Sequence, residues 1–391
     1  MPNVTHSLTV YGAWDGLEIG AIEGWNQIKI RDVLNQPVAC TVTIPHRRTI
    51  GQEQQFAVQQ VEMILREHTQ DSGVVTTRTM FRGYLRDVND VVGGMTTATF
   101  VDAMWYITNV RTLDGFYANG LFNELDPEDP GANDGVWSVT DMNDGELIRN
   151  IVTYCQEPLY DTPDFLFFRR DYGIDVNGEN TAPSTTTNSY EEIDVGSAIQ
   201  EITQKLDGPD WHLSPNKVLN IYHRRGSNRT NQGGLPGGGF DAPAASNFIT
   251  FTFGSGGNLK SFERMVSADN MITRTKLRSQ IDVDVYEREE PPFSYNTFEK
   301  YQTLQSDMSF GDLVEYRLGF GPYNRPVTEY RISTKSNPDT DDSQYEVGDI
   351  IQLVAADIRQ PVSSPARIHG RELTIAHNGS KTADLQISIY G

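Results

Sequence analysis

The sequence predicts a mainly β protein with an α+β insert, divided as residues 1–115, 116–247 and 248–391. Three observations carry this. Both ends are dense in short runs that alternate apolar and polar residues, the period of a half-buried strand. The middle holds two stripes at helical spacing: Ile148, Ile151, Val152 and Cys155, then Val195, Ile199, Ile202 and Leu206. A glycine-rich break from Gly226 to Gly239 then separates that middle from the last third.

Bulk properties narrow the function. A chain of 391 residues is long enough for two or three domains with a large core. Lys and Arg total 32 against 53 Asp and Glu, a formal charge of −21, which argues against a protein that grips nucleic-acid phosphates. The 2 cysteines, Cys40 and Cys155, both lie in apolar-periodic segments and read as buried free thiols. They supply neither a disulfide framework nor a zinc set. The opening MPNVTHSLTVYG lacks the basic and apolar regions of a signal peptide. No segment approaches the roughly 18 apolar residues of a membrane span.

In chain order, strands are expected first. Trp25 to Arg31 alternates, as does Val38 to Ile44 before Pro45; Val61 to Leu65 is a shorter run. Thr77 to Val88 alternates through Met80 and Arg82, with Gly83 at its centre marking a bulge. Thr97 to Asp102 closes the set. Turn signals every ten to fifteen residues or so point to a barrel or sandwich.

In the insert, Leu125 to Gly135 is an acidic Pro/Gly loop whose spacing does not match a calcium-binding D-x-[DN]-x-[DN]-G loop. Asn143-Asp-Gly-Glu146 resembles a capping box ahead of the first helix. Residues 177–190 read as loop. Asp194 can cap the second helix, and Asp207-Gly208-Pro209 stops it. Trp211 to Leu213 and Val218 to Tyr222 then form a hairpin, with Trp211 capping a small core and Trp211 with His212 as the functional alternative. The loop from Arg224 to Ala245 has little to pack and should be mobile or lie on a partner.

The last third opens on Ile249, Phe251 and Phe253 sharing one strand face, then a turn through Gly254, Gly256 and Gly257. A polar approach leads to a second run with Thr275 and Leu277 on one face. In Asp282-Val-Asp284-Val-Tyr286 the acids read as the wet face of a strand, the alternative being a carboxylate pair for metal or acid–base work. Phe298 to Leu318 reads as helix, with Ser309 to Asp312 able to cap its last two turns and Gly319 to end them. Strands follow at Val327–Thr334, Val347–Ala355 and Arg367–Ala376, and the last meets Ala383–Tyr390 across His377-Asn378-Gly379-Ser380, a strong hairpin signal.

Chemistry is sparse. Gly254 to Ser261 nearly spells G-x-x-x-x-G-K-[ST], but Leu259 stands where the second glycine must let backbone N–H groups close around phosphate. His6, His46, His68, His212, His223, His369 and His377 show no H-x-x-x-H pairing, and there is no G-x-S-x-G elbow. The sequence therefore names no catalytic, cofactor-binding or metal-ligating residue. Two acids brought together by the fold could still act as a glycosidase pair.

The order of short motifs carries a resemblance. Asp210-Trp211 precedes the hairpin. Phe253-x-x-Gly256-x-Asn258-Leu259-x-x-Phe262-x-Arg264 opens the last third, and Tyr345-x-Val347-Gly348-Asp349-x-Ile351 and the closing Asn-Gly hairpin complete it. The segment Trp25 to Pro45 and Phe81-Arg-Gly-Tyr84 add to it. Over nearly the whole chain this resembles the tail hub, or tail-associated, minor tail proteins of long-tailed bacteriophages of the siphophage type. The long loop at 224–245 and a chain that stops after the last hairpin depart from that pattern. The resemblance implies a structural, non-enzymatic virion protein at the tail tip, with two tube-like β-barrel domains per chain, at 1–115 and 248–391, and a helix near 298–318 in the second. It implies a homotrimer that imitates a sixfold tube ring and closes or gates the channel. Implied partners are the distal tail protein ring, the C-terminus of the tape-measure protein, and tip or fibre proteins. DNA would meet it only in passage, and no stable membrane insertion or cofactor is implied. Two other classes stay open: a carbohydrate-binding receptor module using Trp105, Tyr106, Trp137, Tyr295 or Tyr323, and a cell-wall hydrolase.

Overall fold

The structure is a computed structural model that describes residues 3–114, 136–156, 171–205, 207–230, 247–267, 274–279, 281–287, 299–304, 309–318, 327–335, 342–356 and 358–389. Strands β1 (Asn3–Gly12), β2 (Glu18–Ala21), β3 (Gln27–Val33), β4 (Ala39–Pro45), β5 (Val61–Asp71), β6 (Val74–Asp90) and β7 (Met95–Val101) form the first region. The alternation that predicted them is literal: in β3, Ile28, Ile30 and Asp32 turn inward, and in β4 Cys40, Val42 and Ile44 do so.

The helix Ala103–Val110, which the sequence did not announce, follows, capped by Asp102 accepting the Trp105 N–H at 3.2 Å. Next come β8 (Thr112–Asp114), β9 (Trp137–Asn143), the helix Asp144–Gln156, β10 (Thr185–Tyr190), β11 (Glu192–Asp194), the helix Val195–Thr203, β12 (Asp210–Leu213) and β13 (Leu219–Tyr222). Both predicted stripes are buried, save Leu206, which lies outside the described residues. Half of the capping box is made: Asn143 Oδ1 accepts the N–H groups of Gly145 at 3.0 Å and Glu146 at 3.2 Å. Glu146 does not reach back; its carboxylate takes Arg149 and Asn180. Residues 185–190, expected as loop, are instead a strand paired with β9, because the β-branched run of threonines suits a pleated edge.

The last third holds β14 (Thr250–Phe253), β15 (Leu259–Ser267), β16 (Arg274–Arg278), β17 (Val283–Glu287), β18 (Glu299–Thr303), the helix Phe310–Leu318, β19 (Val327–Thr334), β20 (Ile350–Ala355), β21 (Val362–Ala376) and β22 (Lys381–Ile389). The expected helix over 298–318 is confined to 310–318, since Glu299–Thr303 pairs parallel with β16. Within the polar approach after the glycine turn, Leu259–Ser267 is itself a strand, β15, paired along β19. The Asn-Gly hairpin is present, with Gly379 at φ 80° and Ala376 N–H donating to Ser380 O at 2.9 Å.

The first and last regions share one sheet of thirteen strands. Its path runs β15-β19-β22-β21-β3-β4-β7-β6-β5-β1-β2, with β20 joining at β21 and β14 pairing parallel with β20. Among the described residues that path is open, with β15 and β2 at its ends. The join is antiparallel pairing of β3 with the second half of β21, from Gly370↔Val33 to Ala376↔Gln27. One apolar cluster spans both regions, from Leu8 to Ile387. A second fills the insert and takes in Tyr84, Met104 and Ile107.

Gly83 does not carry a bulge. It pairs in register with Met63, and the extra residues sit on either side, at Met80 and Arg86. A Cβ at Gly83 would lie 2.3 Å from the Val101 carbonyl oxygen, so glycine is required by close approach rather than by a kink.

Candidate functional site

The three regions meet at a buried charged seam. Arg225 is almost fully covered and forks onto Asp32 of β3, its Nη1 and Nη2 donating at 3.1 and 2.9 Å. Its own N–H donates to Asp210 at 2.8 Å, and Arg367 of β21 reaches the same Asp210 oxygen at 2.5 Å. Four residues on, Arg229 donates to Asp349, which also accepts the N–H groups of Ser227 at 2.6 Å and Glu346 at 3.0 Å. Burial alone would raise the Asp32 carboxyl; the Arg225 guanidinium reverses that and holds it at about 2. Charge-assisted forks of this kind fix geometry as well as charge.

The backbone makes room for the seam. Gly226 and Gly348 adopt φ of 100° and 98°, and a Cβ on Gly348 would lie 2.2 Å from the Arg225 carbonyl oxygen. The two chains therefore touch main chain to main chain, which only glycine permits. Residues 224–230 are thus anchored, in contrast to the expected mobile loop; residues 231–246 lie outside the described residues.

Beside the seam lies a cavity of about 180 Å³, walled by Asp32, Asp102, His212, Arg225, Glu346 and Arg371 among others. His212 is partly exposed to it, and burial with the nearby Arg225 lowers its pKa to about 3, so the ring is neutral. Burial raises the Asp102 carboxyl to about 7. Both Asp102 oxygens are already engaged, one by the Val38 N–H at 2.7 Å and one by the Trp105 N–H. The seam acids lock the junction: Asp32, Asp210 and Asp349 each accept from a partner in another region, while both Asp102 bonds stay within the first. A second knot joins Glu67 to Lys381, Arg78 and His6, with Asp342 accepting from Arg78 at 2.7 Å. Burial would raise Glu67, but His6 and Lys381 bring it down to about 2.

The motif residues that carried the resemblance sit in these contacts. Asp210 and Asp349 are seam carboxylates. Asn258 clamps the glycine turn, accepting the Thr252 N–H at 2.8 Å and donating to the Thr250 carbonyl at 2.9 Å. That turn is internally bonded, with Gly257 N–H on Gly254 O at 3.1 Å. Leu259 is 3% exposed and Lys260 points to solvent.

Other sequence candidates separate. Trp211 is buried with the Val195, Ile199 and Ile202 stripe in one cluster. Asp194 does occupy the cap position, though its side chain makes no capping bond. The wet-face expectation for Asp282–Tyr286 is inverted. Asp284 is 4% exposed and pairs with Arg317 at 3.1 Å, while Val283 and Val285 face out at 42% and 53%. Asp282 instead accepts the Phe310 N–H at 3.0 Å, at the start of that helix, from just before β17. Of the aromatic candidates, Trp137 and Tyr106 are core and Trp105 is partly buried; Tyr295, Tyr323 and the acidic loop at 125–135 lie outside the described residues. Cys40 and Cys155 are both buried, and neither is in a disulfide. No cluster of three or more metal-binding side chains occurs among the described residues, and no helix there is long and apolar enough to cross a membrane. The seam was not legible in advance, since its partners lie 193, 157 and 120 residues apart. Its only sequence signal is arginine and glycine together in Arg224-Arg225-Gly226.

No family model and no curated protein matches the sequence. Solved structures do match. A tail protein from Neisseria meningitidis is similar over 99% of this chain and 97% of its own, at 10% identity and a TM-score of 0.54. The 43 kDa tail protein of prophage MuSo2 from Shewanella oneidensis is similar over 98% of both chains, at 10% identity and a TM-score of 0.53. At such identity the likeness is one of fold, and it runs the length of the chain: this chain has the fold of these two tail proteins.

Proposed function

We propose that this chain is a structural virion protein of a bacteriophage tail, and more narrowly the tail-tip hub of a siphophage-type particle. The observation that carries the reading is the shared fold with two tail proteins over nearly the full length of each. The motif order along the sequence agrees with it. In this reading the strand-rich regions 1–115 and 248–391 are two tube-like barrels per chain. Three chains then give six barrels around the axis, so that a sixfold tube and distal tail protein ring can be joined to a threefold tip. The hub closes or gates the channel, meets the tape-measure C-terminus, and carries tip or fibre proteins below.

The work is mechanical rather than catalytic. The seam supports this, because its carboxylates are committed to holding three regions together. Rigid coupling of the insert to both strand sets suits a part that must transmit force along a tail. The net charge of −21 suits a channel that DNA traverses without sticking, since like charge removes the attractive term. Cryo-electron microscopy of the assembled tail tip tests the reading. Three copies around the axis, each contributing two barrel-like units, is the expected result. Six copies, or one barrel-like unit in each, would overturn it.

A further inference from the structure

A cleft of about 800 Å³ opens between the turn at 34–37, the end of the helix Ala103–Val110 and the helix Val195–Thr203. Arg111 lines it. The Arg111 carbonyl accepts the Val195 N–H at 3.1 Å, which fixes the backbone, but its side chain has no carboxylate or hydrogen-bond partner among the described residues, and its Nε is shielded from solvent. Other covered arginines differ: Arg225, Arg229, Arg317 and Arg367 each hold a carboxylate. The Arg111 Nη groups are not shielded in this way, and with no protein carboxylate to hold they keep their N–H donors for a ligand's carboxylate.

We propose that this cleft binds an extended peptide segment through a carboxylate that docks on Arg111. The rest of the wall favours that occupant. Asp194 lines the same cleft, is exposed and makes no capping bond, so it is free to take a backbone N–H. Its negative charge beside the arginine disfavours phosphate-rich ligands. Gln36, Ser197 and Gln200 also line it, and their side chains make no hydrogen bond among the described residues. Amides and hydroxyls of this kind pair with the alternating N–H and C=O groups of an extended main chain. A sugar would call for an aromatic platform, and the cleft's one tryptophan, Trp211, is only 2% exposed. The proposal stands on this geometry and does not depend on the hub reading.

The test uses the full chain and fluorescein-labelled hexapeptides of alanine and serine that carry one glutamate or, in a matched set, one glutamine. Fluorescence polarisation should show the glutamate peptides binding at least about tenfold tighter. Arg111→Gln should abolish that difference and Arg111→Lys should keep part of it. The thermal midpoint of Arg111→Gln should match the parent, because no intramolecular contact is lost. Equal binding of the two sets, no saturable binding at millimolar peptide, or indifference to Arg111→Gln would each overturn the proposal. So would a marked fall in thermal midpoint, which would make Arg111 a structural residue. A uronic-acid tetrasaccharide is the second probe: Arg111-dependent binding of it in place of the peptides would show that the occupant was misassigned.

Discussion

The large sheet and the small sheet β17-β16-β18 bury opposite halves of similar patterns. In β3 the isoleucines go in together with Asp32, and Lys29 and Arg31 stay toward solvent. In β17 the acid goes in and the valines stay out. The difference lies in what covers each face. The large sheet encloses an apolar cluster drawn from both ends of the chain. The inner face of the small sheet meets one short helix, gathers Leu277, Leu304 and Leu313 as its core among the described residues, and receives Arg317 as a counter-charge for Asp284. Alternation therefore identifies a strand, but the covering element decides which half is buried. The exposed Val283, Val285 and Tyr301 leave a face suited to a neighbour in an assembly.

The largest expected effect lies in the dense cores. Trp211→Ala should cost about 3–5 kcal/mol, as truncation of core aromatics does, read as a shifted urea midpoint. An unchanged midpoint would mean that the tryptophan contributes no packing. Next comes Asp284→Ala, which removes the carboxylate paired with Arg317 at 3.1 Å. Breaking a buried pair costs about 3–5 kcal/mol, but here the loss should stay local. Hydrogen exchange should quicken across 274–287 and 299–318 while β3 and β4 keep their protection; uniform loss of protection would show that the two sheets unfold as one unit.

The third effect depends on pH. Burial with the nearby Arg225 lowers His212 to about 3, and burial with the nearby Arg367 lowers His369 to about 4. The unfolded chain holds protons there that the folded chain does not, so stability should fall as pH drops from about 6.5 toward 4. Asp32 and Glu67, held at about 2, extend that loss below the ordinary carboxylate range. Asp102 runs the other way, its stabilising proton being lost as pH rises through about 7. Thermal melts at pH 7.5, 5.5 and 4 should show a shallower acid decline for the His212→Gln, His369→Gln double variant. Parallel curves would remove both histidines from the account. The smallest effect is expected for Val283→Thr with Val285→Thr, within about 0.5 kcal/mol for the isolated chain. If that face is a subunit contact, the same pair should weaken assembly, measured by mass photometry.

Much of the fold could be read from sequence where one face is apolar and the other polar. β3, β4, β19 and the closing hairpin all fall where alternation and turn chemistry put them. β15 was missed because its run, LKSFERMVS, sets polar residues on both faces, as suits a strand at the end of a sheet. β18 passed for helix because Glu299–Thr303 has no apolar stripe to distinguish the two periods. The seam is different in kind. Asp32, Asp210 and Asp349 look like any solvated acid until Arg225, Arg367 and Arg229 arrive from distant parts of the chain. Arg111 likewise becomes conspicuous only once its neighbours are known.

The pairing of β3 with β21 imposes an order of events. Residues 27–33 must wait for residues 362–376 before their free edge is satisfied. Through most of synthesis that edge is a strand template open to any passing chain. Joining strands more than three hundred residues apart is also slow, because loop closure comes before any gain from contact. The first seven strands can collapse early on their own hairpins, yet the sheet becomes whole only when the last hairpin emerges. Misassembly should therefore concentrate in the interval before β21 docks, and a short peptide copying residues 362–376, added during refolding, should compete for that one edge.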